Sequence, residues 1–356
     1  MAKDDITRPK LVQLMTDVEP ALSSLGLVPV TSHFWFTGKE IMAYDGRIAI
    51  EVECKTPFAG AVPPALLALL KTSTAETPIE FKLDDAGTLH VKAASSKFKL
   101  AIMPKSDFVF KMPALPQNAF PCDAGRFLEA MTTCMYSLGN DTSHTDHLGV
   151  TLIAEDGFLF LFGYDRATLS SGRVKLTGKV DFERIILPTN FCKQLLRIGA
   201  GAKKLYLEIA DDFAMFECDG IALYGRLEEL DKPIDFMNIL DQALFKNKQK
   251  LCELPENKLP AVLERACIIT DAAVDKTRMV VSIKNAHGHF DSVSERGEVH
   301  DECGFEKQHP DCLAHVDPVR IKDGIDRFTH ILFTEEACIM ANKEASMVYL
   351  IQAKPG

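Results

Sequence analysis

Apolar positions along this chain keep two rhythms, and the two alternate three times. Runs 64–71, 188–197 and 318–327 each open on a proline and carry apolar residues at helical spacing. Proline suits a first helical turn, where its missing N–H has no partner to lose. After each run comes a strand-like stretch: Ile79-Glu80-Phe81-Lys82-Leu83, Leu205-Tyr206-Leu207-Glu208-Ile209 and Ile331-Leu332-Phe333. Alternation at period two marks a strand with one buried face. A further helix-like run lies earlier in each part, around Leu11–Met15, Phe127–Met131 and 259–266. Between the two helices sits a marker segment: Gly46-Arg47-Ile48-Ala49-Ile50, Gly172-Arg173-Val174-Lys175-Leu176 and Gly297-Glu298-Val299-His300.

The marker glycines are 126 and 125 residues apart. The pattern predicts a unit of helix, strands, helix, strands, repeated three times over about 120 residues. Pro113-Ala114-Leu115-Pro116 and Lys246-Asn247-Lys248-Gln249-Lys250 place the boundaries, giving units 1–116, 117–247 and 248–356. The expected fold class is α+β, three similar domains of helices plus antiparallel sheets.

Composition narrows the class of protein. Hydrophobic residues make up 47% and charged residues 25% of the 356 positions, an ordinary globular balance. The longest apolar stretch, 61–70, is far short of the ~20 residues of a membrane span. The start, Met1-Ala2-Lys3-Asp4-Asp5, lacks the apolar core of a signal peptide, so a cytoplasmic location is expected. The ten cysteines follow no regular framework, which favours reduced thiols.

Charge changes the picture when it is divided by element. The whole chain carries −10, which argues against holding nucleic acid by bulk electrostatics. Segments 63–71, 188–204 and 318–327 nevertheless hold eight basic residues: Lys71, Lys193, Arg197, Lys203, Lys204, Arg320, Lys322 and Arg327. Only Asp323 and Asp326 oppose them, so these segments carry +6 and the remainder −16. Basic residues at one place in each repeat suggest a face turned toward a polyanion. A preference of Lys and Arg for helix C-termini accounts for Lys71, Arg197 or Arg327 taken singly equally well.

At these positions the chain resembles the bacterial DNA sliding clamp family, the beta subunit of DNA polymerase III. The likeness runs through Ser95–Pro104 with Asp107-Phe108, then Leu148-Gly149-Val150, Gly163–Leu169 and Leu187–Arg197. Ile234-Asp235-Phe236 and Tyr349-Leu350-Ile351 follow in the family's order. The family's Gly-His-Arg is Arg166-Ala167-Thr168 here, and its Met-Pro-Met ending is Gln352-Ala353-Lys354. Such departures fit a diverged clamp, of the kind a phage carries.

The resemblance implies a head-to-tail homodimer, a ring of six domains with helices lining the hole. It implies sequence-independent encirclement of duplex DNA, with the eight basic residues facing it. It implies partners, a DNA polymerase and a clamp loader, with the polymerase held through short peptides. The matching peptide pocket is His147, Tyr164, Arg166, Thr168, Leu169, Leu240, Leu350 and Gln352. The matching ring contact sets Ile268 and Ile269 against Phe98 and Leu100 of the neighbour; apolar character alone would place these four in their own core. No enzymatic activity, cofactor or membrane association is implied. A clamp-like scaffold for transcription or repair proteins would use the same surfaces.

Two groups suggest other chemistry. His300, Cys303, His309, Cys312 and His315 put five possible zinc ligands within sixteen residues, though without a CxxC or HExxH spacing. Strand residues of the third unit are the plainer reading. Asp141, His144, Asp146 and His147 offer acid–base groups in a polar loop, with no evident nucleophile. No phosphate-binding loop, dinucleotide fingerprint or GxSxG elbow is present.

Overall fold

The computed structural model describes residues 6–24, 28–72, 78–108, 110–139, 148–210, 212–228, 233–245, 247–255, 258–270, 279–295, 297–305 and 309–353. The six helices expected from the apolar pattern form as Arg8–Val18, Ala65–Lys71, Ala124–Met135, Thr189–Ile198, Leu259–Thr270 and Pro318–Ile325. Their starts follow local chemistry. Pro9 and Pro318 occupy first-turn positions. The Asp123 and Asp317 carboxylates accept the backbone N–H of Arg126 and Val319, filling donors that a helix start leaves open. One face of each helix is buried: Leu11, Met15 and Val18 in the first, and Leu259, Val262, Leu263 and Ala266 in the fifth.

The chain forms two compact units, residues 1–120 with 190–227 and residues 121–189 with 228–356. The first holds a seven-stranded antiparallel sheet in the order Tyr206–Ile209, Phe213–Cys218, Ile221–Arg226, Ile48–Glu53, Glu40–Tyr44, Phe34–Phe36, Gly60–Val62. Ile221 lies opposite Val52 and Gly225 opposite Ile48, so the middle third of the sequence completes the sheet of the first. Helix Arg8–Val18 packs on this sheet and on Ala65–Lys71. A three-stranded sheet, Ile79–Leu83, Thr88–Ala93 and Ser96–Ala101, ends on Ser96–Ala101.

The second unit repeats the plan. Its eight-stranded sheet runs Arg184–Pro188, Gly149–Glu155, Phe158–Tyr164, Thr168–Lys175, Met347–Gln352, Ala337–Ala341, His330–Phe333, Cys252–Glu253. Thr168 faces Ile351 and Gly172 faces Met347, so the middle and last thirds share this sheet. A four-stranded sheet, Gly297–Gly304, His287–Ser294, Met279–Lys284 and Cys312–Val316, packs with helix Leu259–Thr270 around Val281, Phe290 and Ala314. The unit of compactness thus differs from the unit that repeats along the sequence.

The three marker glycines are not equivalent. Gly46 takes φ +100° in the turn before Ile48–Glu53, and Gly297 opens its strand at φ +137°. Gly172 instead lies within Thr168–Lys175, where a Cβ would collide with Ala130 of the helix above. Among the described residues no helix is long and apolar enough to cross a membrane.

Candidate nucleic-acid and peptide interfaces

The eight basic residues divide by what they touch. Lys193 and Arg197 lie one turn apart on Thr189–Ile198, both exposed, with exposed Lys203 and Lys204 just beyond its end. Arg197 reaches back to the first helix, donating to the Asp17 carbonyl at 2.6 Å, and its guanidinium stands 3.6 Å from the Asp17 carboxylate. Lys71 faces Glu19 at 3.4 Å. In the second unit Lys322 is exposed, and the Arg327 guanidinium lies 3.1 Å over the Tyr136 ring. Arg320 is half-buried and pairs with Asp165 at 2.7 Å. Four lysines of the eight, 193, 203, 204 and 322, are therefore exposed without being drawn to a neighbouring helix, ring or carboxylate in the way the others are.

The expected pocket residues come together, apart from His147, which lies outside the described residues. Leu169 pairs in register with both Tyr164 and Leu350, on adjacent strands. Leu240 arrives on the short helix Phe236–Leu240, started by the Asp235 carboxylate on the Asn238 N–H. Leu169, Leu240 and Leu350 share one apolar cluster with Phe160, Phe162 and Phe236, and all three are buried. Phe236 stacks on Phe162, and Tyr164 meets it edge-on at 5.6 Å. We call the surface over these buried leucines the seam; there Tyr164 is half-buried and packs on the cluster, and Arg166 and Gln352 are exposed. Ile239, next to Leu240 in the chain, is 36% exposed. The sequence reading omitted it; an apolar residue next to an aspartate-capped turn was the available signal.

The turn carrying Arg166 is tightly specified. The Asp165 Oδ1 accepts from Ala167 N, Thr168 N and the Thr168 hydroxyl. Arg166 takes φ +71°, the left-handed region that favours glycine. The Ala167 carbonyl accepts the Gln352 N–H at 2.9 Å, tying the turn to the last strand. Burial works to raise the Asp165 pKa, but the hydrogen bonds from Arg320 and Thr168 outweigh it and hold the carboxyl below its ordinary value.

No protein-family model and no curated protein matches this sequence. Solved structures do. A putative DNA polymerase III beta subunit from Eubacterium rectale superposes with a TM-score of 0.86 at 13% identity, covering 98% of both chains. The DNA polymerase III beta subunit of Thermotoga maritima gives 0.83 at 16% identity, covering 99% of this chain and 98% of that one. A Pseudomonas aeruginosa DNA polymerase sliding clamp, solved with a ligand, gives 0.85 at 14% identity over 99% of both. The chain has the sliding-clamp fold.

Two edges of this clamp fold bear on the expected ring contact. Ser96–Ala101 closes one side of its sheet, and Gly297–Gly304 closes one side of another. An edge strand presents N–H and C=O groups ready to pair with a further strand. On the first, Lys97 and Lys99 are exposed on one face while Phe98 and Leu100 are half-buried on the other. On the second, Glu298, His300 and Glu302 are exposed on one face. Beside it, on Leu259–Thr270, Ile268 is 64% exposed and Ile269 is half-buried near Gly297.

The clamp fold scatters the five possible metal ligands. His300 and Cys303 lie three apart on one strand, so they face opposite sides of the sheet. The His300 Nδ1 meets Asp291 at 2.6 Å, and these carboxylate contacts raise its pKa. His309 is buried against Phe305 and Phe333. Its Nδ1–H donates to the Pro310 carbonyl and its Nε2 accepts the Phe333 N–H, so neither nitrogen is left for a metal. Cys303 is buried and Cys312 half-buried; burial raises both thiols, Cys312 to about 11. Among the described residues no three His, Cys, Asp or Glu side chains are placed to hold a metal ion. Asp141, His144 and Asp146 lie outside the described residues.

Proposed function

We propose that this protein is a DNA sliding clamp that encircles duplex DNA and tethers a DNA polymerase and other replication proteins through short peptides. The observation that carries the reading is the end-to-end likeness to solved clamps, 98–99% of this chain at TM-scores of 0.83–0.86. The charge division supports it. An enclosed helix has to attract phosphates without fixing any one of them. Scattered exposed lysines on an otherwise acidic protein do that, with no base-reading group required. We assign the DNA-facing role first to Lys193, Lys203, Lys204 and Lys322, with Lys71, Arg197 and Arg327 beside them. A cytoplasmic location and loading by a separate ATP-driven partner belong to the same reading.

Ring closure on this proposal joins two copies head to tail and gives six repeats of the unit divided at 116 and 247. Strand Ser96–Ala101 of one copy extends the sheet at Gly297–Gly304 of the next. Lys97 and Lys99 then face Glu298 and Glu302, and Phe98 and Leu100 meet Ile268 and Ile269. The test is light scattering followed by retention on circular and linearised DNA. A dimer that stays on circles and leaves linear ends is expected. A stable monomer without topological retention would overturn the proposal.

A further inference from the structure

We propose that Arg320 is a positioning residue of the peptide seam rather than a phosphate contact, acting with Asp165 to hold the turn that forms the seam's polar edge. The inference rests on the clamp reading of that seam. Arg320 stands in the first turn of Pro318–Ile325, three residues beyond the capping Asp317, whose carboxylate is 3.7 Å from its Nε. Its Nη1 donates to Asp165 Oδ2 at 2.7 Å. The other carboxylate oxygen is filled by the three donors of the turn itself. Every strong contact of Asp165 is therefore spent on shaping residues 165–168 or on binding the helix to them.

The geometry explains why the turn needs such a hold. Arg166 sits in a left-handed conformation that is costly for a non-glycine residue. It is exposed between two anchored neighbours: Thr168, buried in register with Ile351, and Ala167, bonded to the Gln352 N–H. Without the Arg320 charge, Asp165 would be a half-buried carboxylate with less to offset its burial, and the turn would lose its fixed shape. The Arg320 pKa moves accordingly: burial works to lower it, yet Asp165 and Asp317 raise it. A guanidinium so committed has little left for a passing phosphate. Lys322, two residues on and exposed, is the cation this helix offers to DNA.

The test uses the full-length protein and a fluorescein-labelled peptide selected from a displayed ten-residue library on the wild type. The selection keeps a peptide whose binding is lost in Ile239→Asp, an exposed position next to Leu240. Arg320→Gln is expected to weaken that peptide about tenfold while retention on circular DNA stays at the wild-type level. Asp165→Asn should do the same, and the double variant should be no weaker than either single one, because both remove one device. Arg320→Lys, which keeps the charge without the forked geometry, should fall between. If Arg320→Gln does not fold, Arg320→Lys and Asp165→Asn carry the comparison.

Wild-type peptide affinity in Arg320→Gln with loss of DNA retention would overturn the inference and return Arg320 to the DNA face. Additive losses in the double variant would overturn it as well. If no seam-dependent peptide can be selected on the wild type, the seam reading itself fails, and the positioning role with it.

Discussion

At the scale of single residues, His300 stands exposed on its strand while His309 is buried against Phe305 and Phe333. His300 and His309 were two members of one apparent ligand cluster, yet strand alternation turns the first outward and a loop buries the second. The alternation was legible in the sequence; the partners of His309 were not, because the Phe333 N–H comes from a separate strand. Their protonation has opposite consequences. Burial holds the His309 pKa below its ordinary 6.5. The folded form therefore resists a proton that the unfolded chain accepts. Its contribution is present above pH 6.5 and declines as pH falls from there through the folded value. Replacing His309 with Gln is expected to flatten that part of the thermal midpoint's pH profile, which scanning calorimetry would read. Arg166 gives a second residue-scale prediction. Arg166→Gly relieves a left-handed arginine, at some cost in unfolded-chain entropy, and should stabilise the protein by about 1 kcal/mol in denaturant titration.

Elements were the most legible level. Apolar spacing located six helices and period-two alternation the strands that follow them, but of the three prolines expected to open a helix only Pro318 lies in a first turn: Pro64 is an N-cap and Pro188 ends a strand. A second exception is instructive: Gly172 marks no strand start but the place where helix Ala124–Met135 presses on the sheet. Gly172→Ala should therefore cost about 1–3 kcal/mol through overpacking. Ala130→Gly in the same chain should recover part of it, measured as a double-mutant cycle in chemical denaturation. The edge strands yield a prediction of association. Lys97→Glu with Lys99→Glu sets like charges across the proposed contact and should weaken the dimer at least about tenfold in sedimentation equilibrium. Adding Glu298→Lys and Glu302→Lys should restore it. Failure of the compensating pair would count against pairing of these two edges.

The whole molecule was half legible. Local rhythm suggests three repeats, while the chain clusters into two compact units. The sharing of sheets could not be read, since Ile48–Glu53 with Ile221–Arg226 and Thr168–Lys175 with Met347–Gln352 are pairings of distant segments that leave no local trace. A fragment 1–116 should accordingly elute as aggregate in size-exclusion chromatography, because Ile48–Glu53 becomes an apolar open edge. A soluble monomeric fragment would show that the first repeat closes its own sheet. The shared sheet of the second unit also sets an order of events during synthesis. Its strand Met347–Gln352, made after both of its neighbours, is not at the margin but between Thr168–Lys175 and Ala337–Ala341. Residues 149–188 therefore wait on the ribosome with one strand edge open until residue 352 emerges. For this protein the nascent chain, rather than the finished one, is where protection from aggregation is most needed.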